Sequence, residues 1–376
     1  MRLYNRHASG GTVLIVDMLT QRVYFASDRQ ELDRVLSSII DGVKSVFVVH
    51  GHGSYVSCGS SDVVAGLCKA NHIVLSEFDD FALNPKRTDV DKGIDVFKKA
   101  RPDLVMAVGG GSVMDMAKLI RHYSREHVTL VAVPTTAGTG AESTQFAVCY
   151  IDGIKHSISD ESILPDVAVL YPPFTRDNGR YLTSCTGFDA LAQAIEAYWN
   201  IHATDESDDY ALRAIELIYD VLPKTTLSDK DREDLLLGAN LAGRAINITR
   251  TTVPHALSYT LTSLYGYPHG HAVALTFPFF LRYYMQGGRA IYNGRDYDRY
   301  VEKMKKLSAL LGVGDAPETV MRQYISRLGL GFDAERDFDD DVVAQGVNLE
   351  RAGNSPMAIN HDVLLAAVKS IRLITK

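Results

Sequence analysis

From about residue 11 to residue 180 the chain alternates short β-branched runs with longer helical ones, and beyond that point strands almost vanish. No other feature narrows the fold as far, because strands alternating with helices require a parallel sheet covered on both faces. Val46–Val49, Ile73–Leu75, Leu104–Val108 and Leu130–Val133 read as strands; Asp89–Ala100 is amphipathic and Val113–Ser124 helical. After the polar stretch from Thr175 to Tyr181, the remainder reads as helices near 188–199, 205–222, 230–248, 254–265, 270–285, 297–311, 315–328 and 360–374. The expected organisation is an α/β domain over residues 1–178 and an all-α helical domain over residues 179–376, since 376 residues have room for two cores.

A formal charge of −7 argues against a general binder of nucleic acid or anionic membranes. Cys58, Cys68, Cys149 and Cys185 contain no C-x-x-C pair, which fits reduced thiols in a cytoplasmic protein. The first ten residues lack the apolar run of a secretory leader, and no stretch reaches the roughly 18 apolar residues of a membrane span. Residues 12–25, with V-L-I-V-D and R-V-Y-F-A, read as an edge hairpin that a second copy could extend, so a homodimer is expected.

Two segments of the α/β half suit a nucleotide. Leu104–Val108 runs into Gly109, Gly110, Gly111 and Ser112 and then a helix; glycines there let the backbone bring its amides close to a pyrophosphate at the positive helix end. Ser112 and Asp115 also have the spacing of a capping box, which would start that helix. Val133–Glu142, V-P-T-T-A-G-T-G-A-E, adds a second strand end with the hydroxyls of Thr135, Thr136 and Thr139, suited to a ribose or a carboxamide. Both segments lie beyond the carboxyl ends of strands, where open parallel sheets bind ligands.

The helical half offers metal ligands. In V-P-H-A-L-S-Y-T-L-T-S-L-Y-G-Y-P-H-G-H, Pro254 suits the first turn of a helix that Gly266 and Pro268 end, placing His255 in that turn and His269 just past the break. Neutral imidazoles are good ligands for Zn or Fe, although ordinary polar residues of a helical hairpin would look the same. In F-D-A-L-A-Q-A-I-E-A-Y-W, Asp189 and Gln193 are four apart on one helix face, continued by Glu196 and Asn200. A first-turn carboxylate has a bland explanation in the helix dipole. The alternative is a ligand set of Asp189, Gln193, His255 and His269.

G-G-G-S-x-x-D-x-A-K (Gly109 to Lys118), P-T-T-A-G-T-G-x-E (Pro134 to Glu142), G-F-D-A-L-x-x-A-I-E-A-Y (Gly187 to Tyr198) and P-H-A-L-S-Y…Y-G-x-P-H-G (Pro254 to Gly270) together resemble the iron-containing, or group III metal-dependent, alcohol dehydrogenases. The likeness runs in order over nearly the whole chain, with N-P at Asn84 and N-S-P at Asn354. It implies a dehydroquinate-synthase-like fold, an N-terminal dinucleotide domain that includes Gly51, Ser54, Asn84 and the two loops, and one divalent metal, Fe or Zn, between the domains. The implied ligands fall on Asp189, His255 and His269, with Gln193 where the family usually has histidine. An amide oxygen is harder and weaker than imidazole, so metal identity is left open. Many relatives carry an aspartate near Gly51 that rejects a 2′-phosphate; its loss leaves NAD preferred with NADP not excluded.

The implied reaction is hydride transfer between nicotinamide and a small aldehyde or alcohol, with metal as Lewis acid and His271 as a proton relay or else a core residue. Arg244, Asn247, Arg250 and Thr252 precede His255, and Lys155 follows a strand. Basic side chains beside a metal invite an anionic substrate, although they can equally form surface ion pairs. With Gln193, the set is similar to the family branch that reduces sulfoacetaldehyde or phosphonoacetaldehyde. Alternatives are a general short-chain alcohol dehydrogenase, a dehydroquinate-synthase-like lyase and a non-catalytic nucleotide binder.

Overall fold

The computed structural model describes residues 13–16, 21–152 and 154–375, without the side chains of 13–16, 154 and 155. Two compact units are formed, Met1–Asn178 with Ser228–Leu236, and Gly179–Leu227 with Leu237–Lys376.

The strands belong to the first unit: β1 Val13–Val16, β2 Arg22–Phe25, β3 Ser45–His50, β4 Val74–Phe78, β5 Leu104–Gly109, β6 Thr129–Pro134, β7 Phe146–Ile151, β8 Ile154–Ser159 and β9 Val167–Leu170. Seven form one sheet in the order β1-β2-β9-β6-β5-β3-β4; β1 pairs antiparallel with β2 and the other neighbours are parallel. Helices α1 Arg29–Ile39, α2 Ser54–Ser57, α3 Ser60–Ala70, α4 Arg87–Ala100 and α5 Gly111–Ser124 supply the crossovers. The period of two along each strand feeds two cores. Val46, Val48, Leu104, Met106 and Val108 pack with Leu32 and Val63 on one face, while Phe47, Val49, Val105 and Ala107 pack with Phe97 and Ile120 on the other.

The hairpin expected over residues 12–25 is present in the pairing of β1 with β2, while residues 12 and 17–20 lie outside the described residues. β7 and β8 make a separate antiparallel pair, so Lys155 lies within a strand rather than after one. The short run β9 carries no helical flank to mark it in the sequence, yet it joins β2 to β6.

The second unit is helical: α6 Arg180–Trp199, α7 Asp205–Ile218, most of α8 Asp229–Thr249, α9 Val253–Tyr265, α10 His269–Gln286, α11 Tyr297–Leu311, α12 Pro317–Arg327, α13 Asp340–Gln345, α14 Leu349–Ala352 and α15 His361–Ser370. α6 begins two turns before the expected start. Gly187 lies inside it without breaking it, and a Cβ there would lie 2.4 Å from the Leu222 side chain. Asp189 therefore sits mid-helix and buried, so the helix dipole no longer explains it. α7 stops at Ile218 rather than near 222, where the chain turns, and α13 and α14 are too short to show a period in sequence. Among the described residues no helix is long and apolar enough to cross a membrane.

Candidate functional site

The first unit gathers its predicted nucleotide residues beyond the carboxyl ends of β4, β3, β5 and β6, which are consecutive in the sheet. Thr135 N–H donates to Gly109 O (3.0 Å), joining the two loops, and a Cβ on Gly111 would lie 2.9 Å from Thr139 Cγ2. A Cβ on Gly110 would lie 3.3 Å from Thr136 Oγ1, and one on Gly51 3.2 Å from Ser54 Oγ and 3.6 Å from Val113 of α5. Backbone and hydroxyls thus approach as closely as glycine allows. The Thr135 hydroxyl is buried without a hydrogen bond.

The capping box does not form. Gly110 is the N-cap of α5, so Ser112 lies inside the first turn, where its Oγ accepts from Asn84 N–H (3.3 Å), and Asp115 accepts from Val148 N–H (3.0 Å). The helix start is left without a side-chain cap, which keeps its first amides available to an anion. Lys118, further along α5, is fully buried and donates to Thr144 Oγ1 and Phe146 O. Burial pushes its ammonium down to about 8, against the charges of Asp115 and Glu142.

In the second unit one ligand atom each of Asp189, His255 and His269 lies within 4.8 Å of the others. Sequence explains the geometry: Pro254 sits in the first turn of α9, Gly266 takes a left-handed φ of 69° to end it, and Pro268 caps α10, so both histidines fall at helix starts. His255 Nε2 is 3.1 Å and His269 Nε2 3.7 Å from Asp189 Oδ1. A lone pair opposite a carboxylate oxygen needs a proton or a cation between them. Burial alone would lower the His255 pKa, but the charges of Glu196 and Asp189 outweigh it and raise it to about 9. One turn along the same face of α6, Gln193 Oε1 is buried and makes no hydrogen bond. An unsatisfied buried carbonyl one turn from the carboxylate of that three-residue cluster fits a divalent cation, which would satisfy it.

His271 lies two residues past His269 and is buried. Its Nε2–H donates to Gly331 O (2.9 Å), leaving Nδ1 to accept from Tyr181 OH (2.8 Å), so a relay would have to pass through Tyr181. Arg244 is fully buried, with Nε on Asn240 and its guanidinium over the Tyr210 ring. Thr252 is fully buried as well, donating to Glu196 and accepting from Trp199. The structure therefore seats both within the helical packing. Asn247 is buried near the end of α8. Arg250 is half-buried with a left-handed φ of 69°, and burial and then the nearby Arg351 guanidinium lower its pKa. Lys155 lies in β8 opposite Tyr150, in the other unit.

A family model described as iron-containing alcohol dehydrogenase matches residues 20–172, and one for the C-terminal part of the Fe-containing alcohol dehydrogenase family matches residues 183–345. The chain belongs to the iron-containing alcohol dehydrogenase family. It is 36% identical over 217 residues to a 1-propanol dehydrogenase of Citrobacter freundii, covering 54% of this chain and 57% of that protein. Over 243 residues it is 32% identical to an NAD-dependent methanol dehydrogenase of Bacillus methanolicus, covering 59% and 64%. The chain thus spans less than two thirds of the length of these curated relatives. A crystal structure of sulfoacetaldehyde reductase from Bifidobacterium kashiwanohense in complex with NAD+ matches with a TM-score of 0.79 at 25% identity, over 93% of this chain and 96% of that one.

In this iron-containing dehydrogenase fold, four residues with close roles were not singled out as site residues by sequence. Glu196 supports His255, Ser258 lies against His269, Tyr181 contacts His271 and Arg351 neighbours Arg250. Only Glu196 left a trace, as the next member of the Asp189–Gln193 row; the others meet their partners from distant segments or look like ordinary helix polar residues.

Proposed function

We propose that this protein reduces a small aldehyde to an alcohol with NADH, using one divalent metal, Fe or Zn, held by Asp189, Gln193, His255 and His269. The observation that carries the reading is the convergence of a buried carboxylate and two imidazoles, with an unsatisfied amide oxygen one helical turn from the carboxylate, in a chain of this family. A divalent ion bound there supplies Lewis-acid stabilisation of the negative charge that develops on the substrate oxygen. The protein's own side chains do the rest. Glu196 and Ser258 hold the two rings, and burial of Asp189 and Gln193 keeps water from the donors. The uncapped start of α5, with Gly51, Ser54, Asn84 and the Thr135–Thr139 loop, binds the dinucleotide; the Gly51 position leaves NADP acceptable at lower preference. We assign the proton relay to Tyr181, held by His271: its hydroxyl gives its proton to the product oxygen and, being half exposed, is reprotonated from solvent.

For substrate we assign a two-carbon aldehyde with an anionic head, such as sulfoacetaldehyde or phosphonoacetaldehyde. The positive charge that half-buried Arg250 feels from Arg351, whose Nη1 donates to Thr251 Oγ1, supports it, with Glu350 the opposing charge near Arg250. A neutral short-chain alcohol is the second reading, favoured by the internal engagement of Arg244 and Thr252. We assign the protein to the cytoplasm as a homodimer, to be checked by light scattering. The test of function is NADH oxidation with aldehydes bearing neutral, sulfonate, phosphonate and carboxylate ends, before and after chelation. Turnover fastest on the anionic two-carbon aldehydes, lost on chelation and restored by Fe or Zn, is expected. Equal rates on propanal and sulfoacetaldehyde would remove the anionic assignment, and no NADH consumption with any aldehyde would remove the oxidoreductase reading.

A further inference from the structure

The two histidines that face Asp189 are held from behind by unlike partners. Trp199 Nε1–H donates to Thr252 Oγ1 (3.1 Å), so that hydroxyl passes its own hydrogen to Glu196 Oε2 (2.7 Å), which also accepts the Thr252 amide (2.6 Å). Oε1 of the same fully buried carboxylate is left for His255 Nδ1, 2.5 Å away, and Nδ1–H must be the donor. Ser258 Oγ donates to His255 O (2.8 Å), so it can only accept from His269 Nδ1, at 3.3 Å. Both rings therefore carry hydrogen on Nδ1 and turn Nε2 toward Asp189. One is backed by a buried charge at short range and the other by a neutral hydroxyl at long range. Exposure follows the same order, 4% for the His255 side chain and 35% for that of His269.

We infer that Glu196 is a positioning residue that fixes the tautomer and donor strength of His255, making it the anchoring ligand of the cluster and leaving His269 the exchangeable one. A carboxylate behind a ligating imidazole holds the ring and raises its electron density, and loss of such a partner costs about 10–100-fold in metal affinity. The inference rests on the ligand reading above, and the experiment separates the two.

Zn(II) and Co(II) affinities would be measured by chelator competition for the full-length wild type, Glu196→Gln, Ser258→Ala and Thr252→Val, with the Co(II) visible spectrum as a second readout. Glu196→Gln keeps an acceptor but removes the charge, and is expected to weaken binding about 10–100-fold with altered Co(II) bands. Ser258→Ala should cost less than about threefold. Thr252→Val loses a bond to the same carboxylate without touching the His255 contact, so it should lower Tm while leaving affinity within about threefold; a purely structural Glu196 would make the two variants alike. If Glu196→Gln does not fold, His255→Ala and His269→Ala answer instead, the larger loss falling on His255. A folded Glu196→Gln that binds both ions as tightly as wild type overturns the inference alone. A wild type that binds neither ion overturns the ligand reading and the inference with it.

Discussion

At the carboxyl ends of the central strands of the first unit the candidate site is made of glycines, threonine hydroxyls and backbone amides, whereas in the second it is made of a carboxylate, an amide and two imidazoles set among helices, all but His269 buried. The first works by letting main chain approach a ligand, so what matters is the absence of side chains. The second works by bringing polar atoms together where water is excluded, so each atom needs a partner or a cation. They should fail in different ways. A methyl group placed in the first site meets a movable side chain, and one placed in the second meets backbone.

Gly270 gives the largest contrast. A Cβ there would lie 1.9 Å from Cys185 O and 3.1 Å from Asp189 Cβ, against main chain that cannot rotate aside. Gly270→Ala should therefore force α10 away from α6 and cost more than about 4 kcal/mol, enough to prevent accumulation of folded protein. A soluble variant with wild-type Tm would show that α10 and α6 are not locked together at this point.

Asp189→Asn tests the second site at its charge. It keeps size and an acceptor while removing the single carboxylate assigned to the cluster, and should weaken Zn(II) binding about 100-fold or more, roughly one ligand's share of a structural zinc site. Dialysis against Zn(II) followed by elemental analysis reads the outcome. Unchanged stoichiometry and affinity would place the ion elsewhere and leave the buried Gln193 oxygen unexplained.

The same contrast governs what could be read before any coordinates. Gly109–Gly111 after an apolar strand is a composition signal, and the sheet covered on both faces follows from strands such as Val46–Val49 and Leu104–Val108 alternating with helices along the chain. The ligand atoms were legible because His255 and His269 flank a visible helix break at Gly266–Pro268. Their supports were not. Glu196 in A-I-E-A-Y reads only as the next member of the Asp189–Gln193 row, with nothing to tell its partner, and only the turn of α6 against Thr252 and His255 buries it. The reading of Ser112 and Asp115 as a capping box failed because the helix starts at Gly111, a register that local spacing does not reveal. Arg244 reads as available for substrate because, although Asn240 stands one helical turn before it, no sequence signal announces Tyr210 of another helix as its neighbour or the burial that follows.

Lys118 sharpens the comparison from the other side, as a buried charge held by one hydroxyl and one backbone carbonyl. Its folded pKa of about 8 lies below the ordinary 10.5, so below pH 8 both folded and unfolded chains carry the proton. Between about 8 and 10.5 the unfolded chain holds more protons, and stability rises with pH. Lys118→Met lacks this response. The stability of wild type relative to the variant, measured by urea unfolding, should grow by about 2–3 kcal/mol between pH 7.5 and 10.5. A difference that stays flat would mean that the ammonium reaches water.

Gly111→Ala should have the smallest effect, and its sign depends on Thr139. The added methyl would lie 2.9 Å from Thr139 Cγ2 and 3.0 Å from Oγ1, contacts that a χ1 change relieves, whereas Gly270 has no such escape. Alanine also suits the first residue of a helix better than glycine does. Fold stability should then change by less than about 1 kcal/mol. Cofactor binding has less freedom, because the displaced hydroxyl and the new methyl both occupy the space beside the α5 amides. NADH affinity, read by fluorescence titration, should fall about tenfold, equivalent to about 1.4 kcal/mol. Loss of affinity with the fold intact is the signature of a site made by close approach; equal loss of both would make the glycine loop a packing element of α5 first and a nucleotide cradle second.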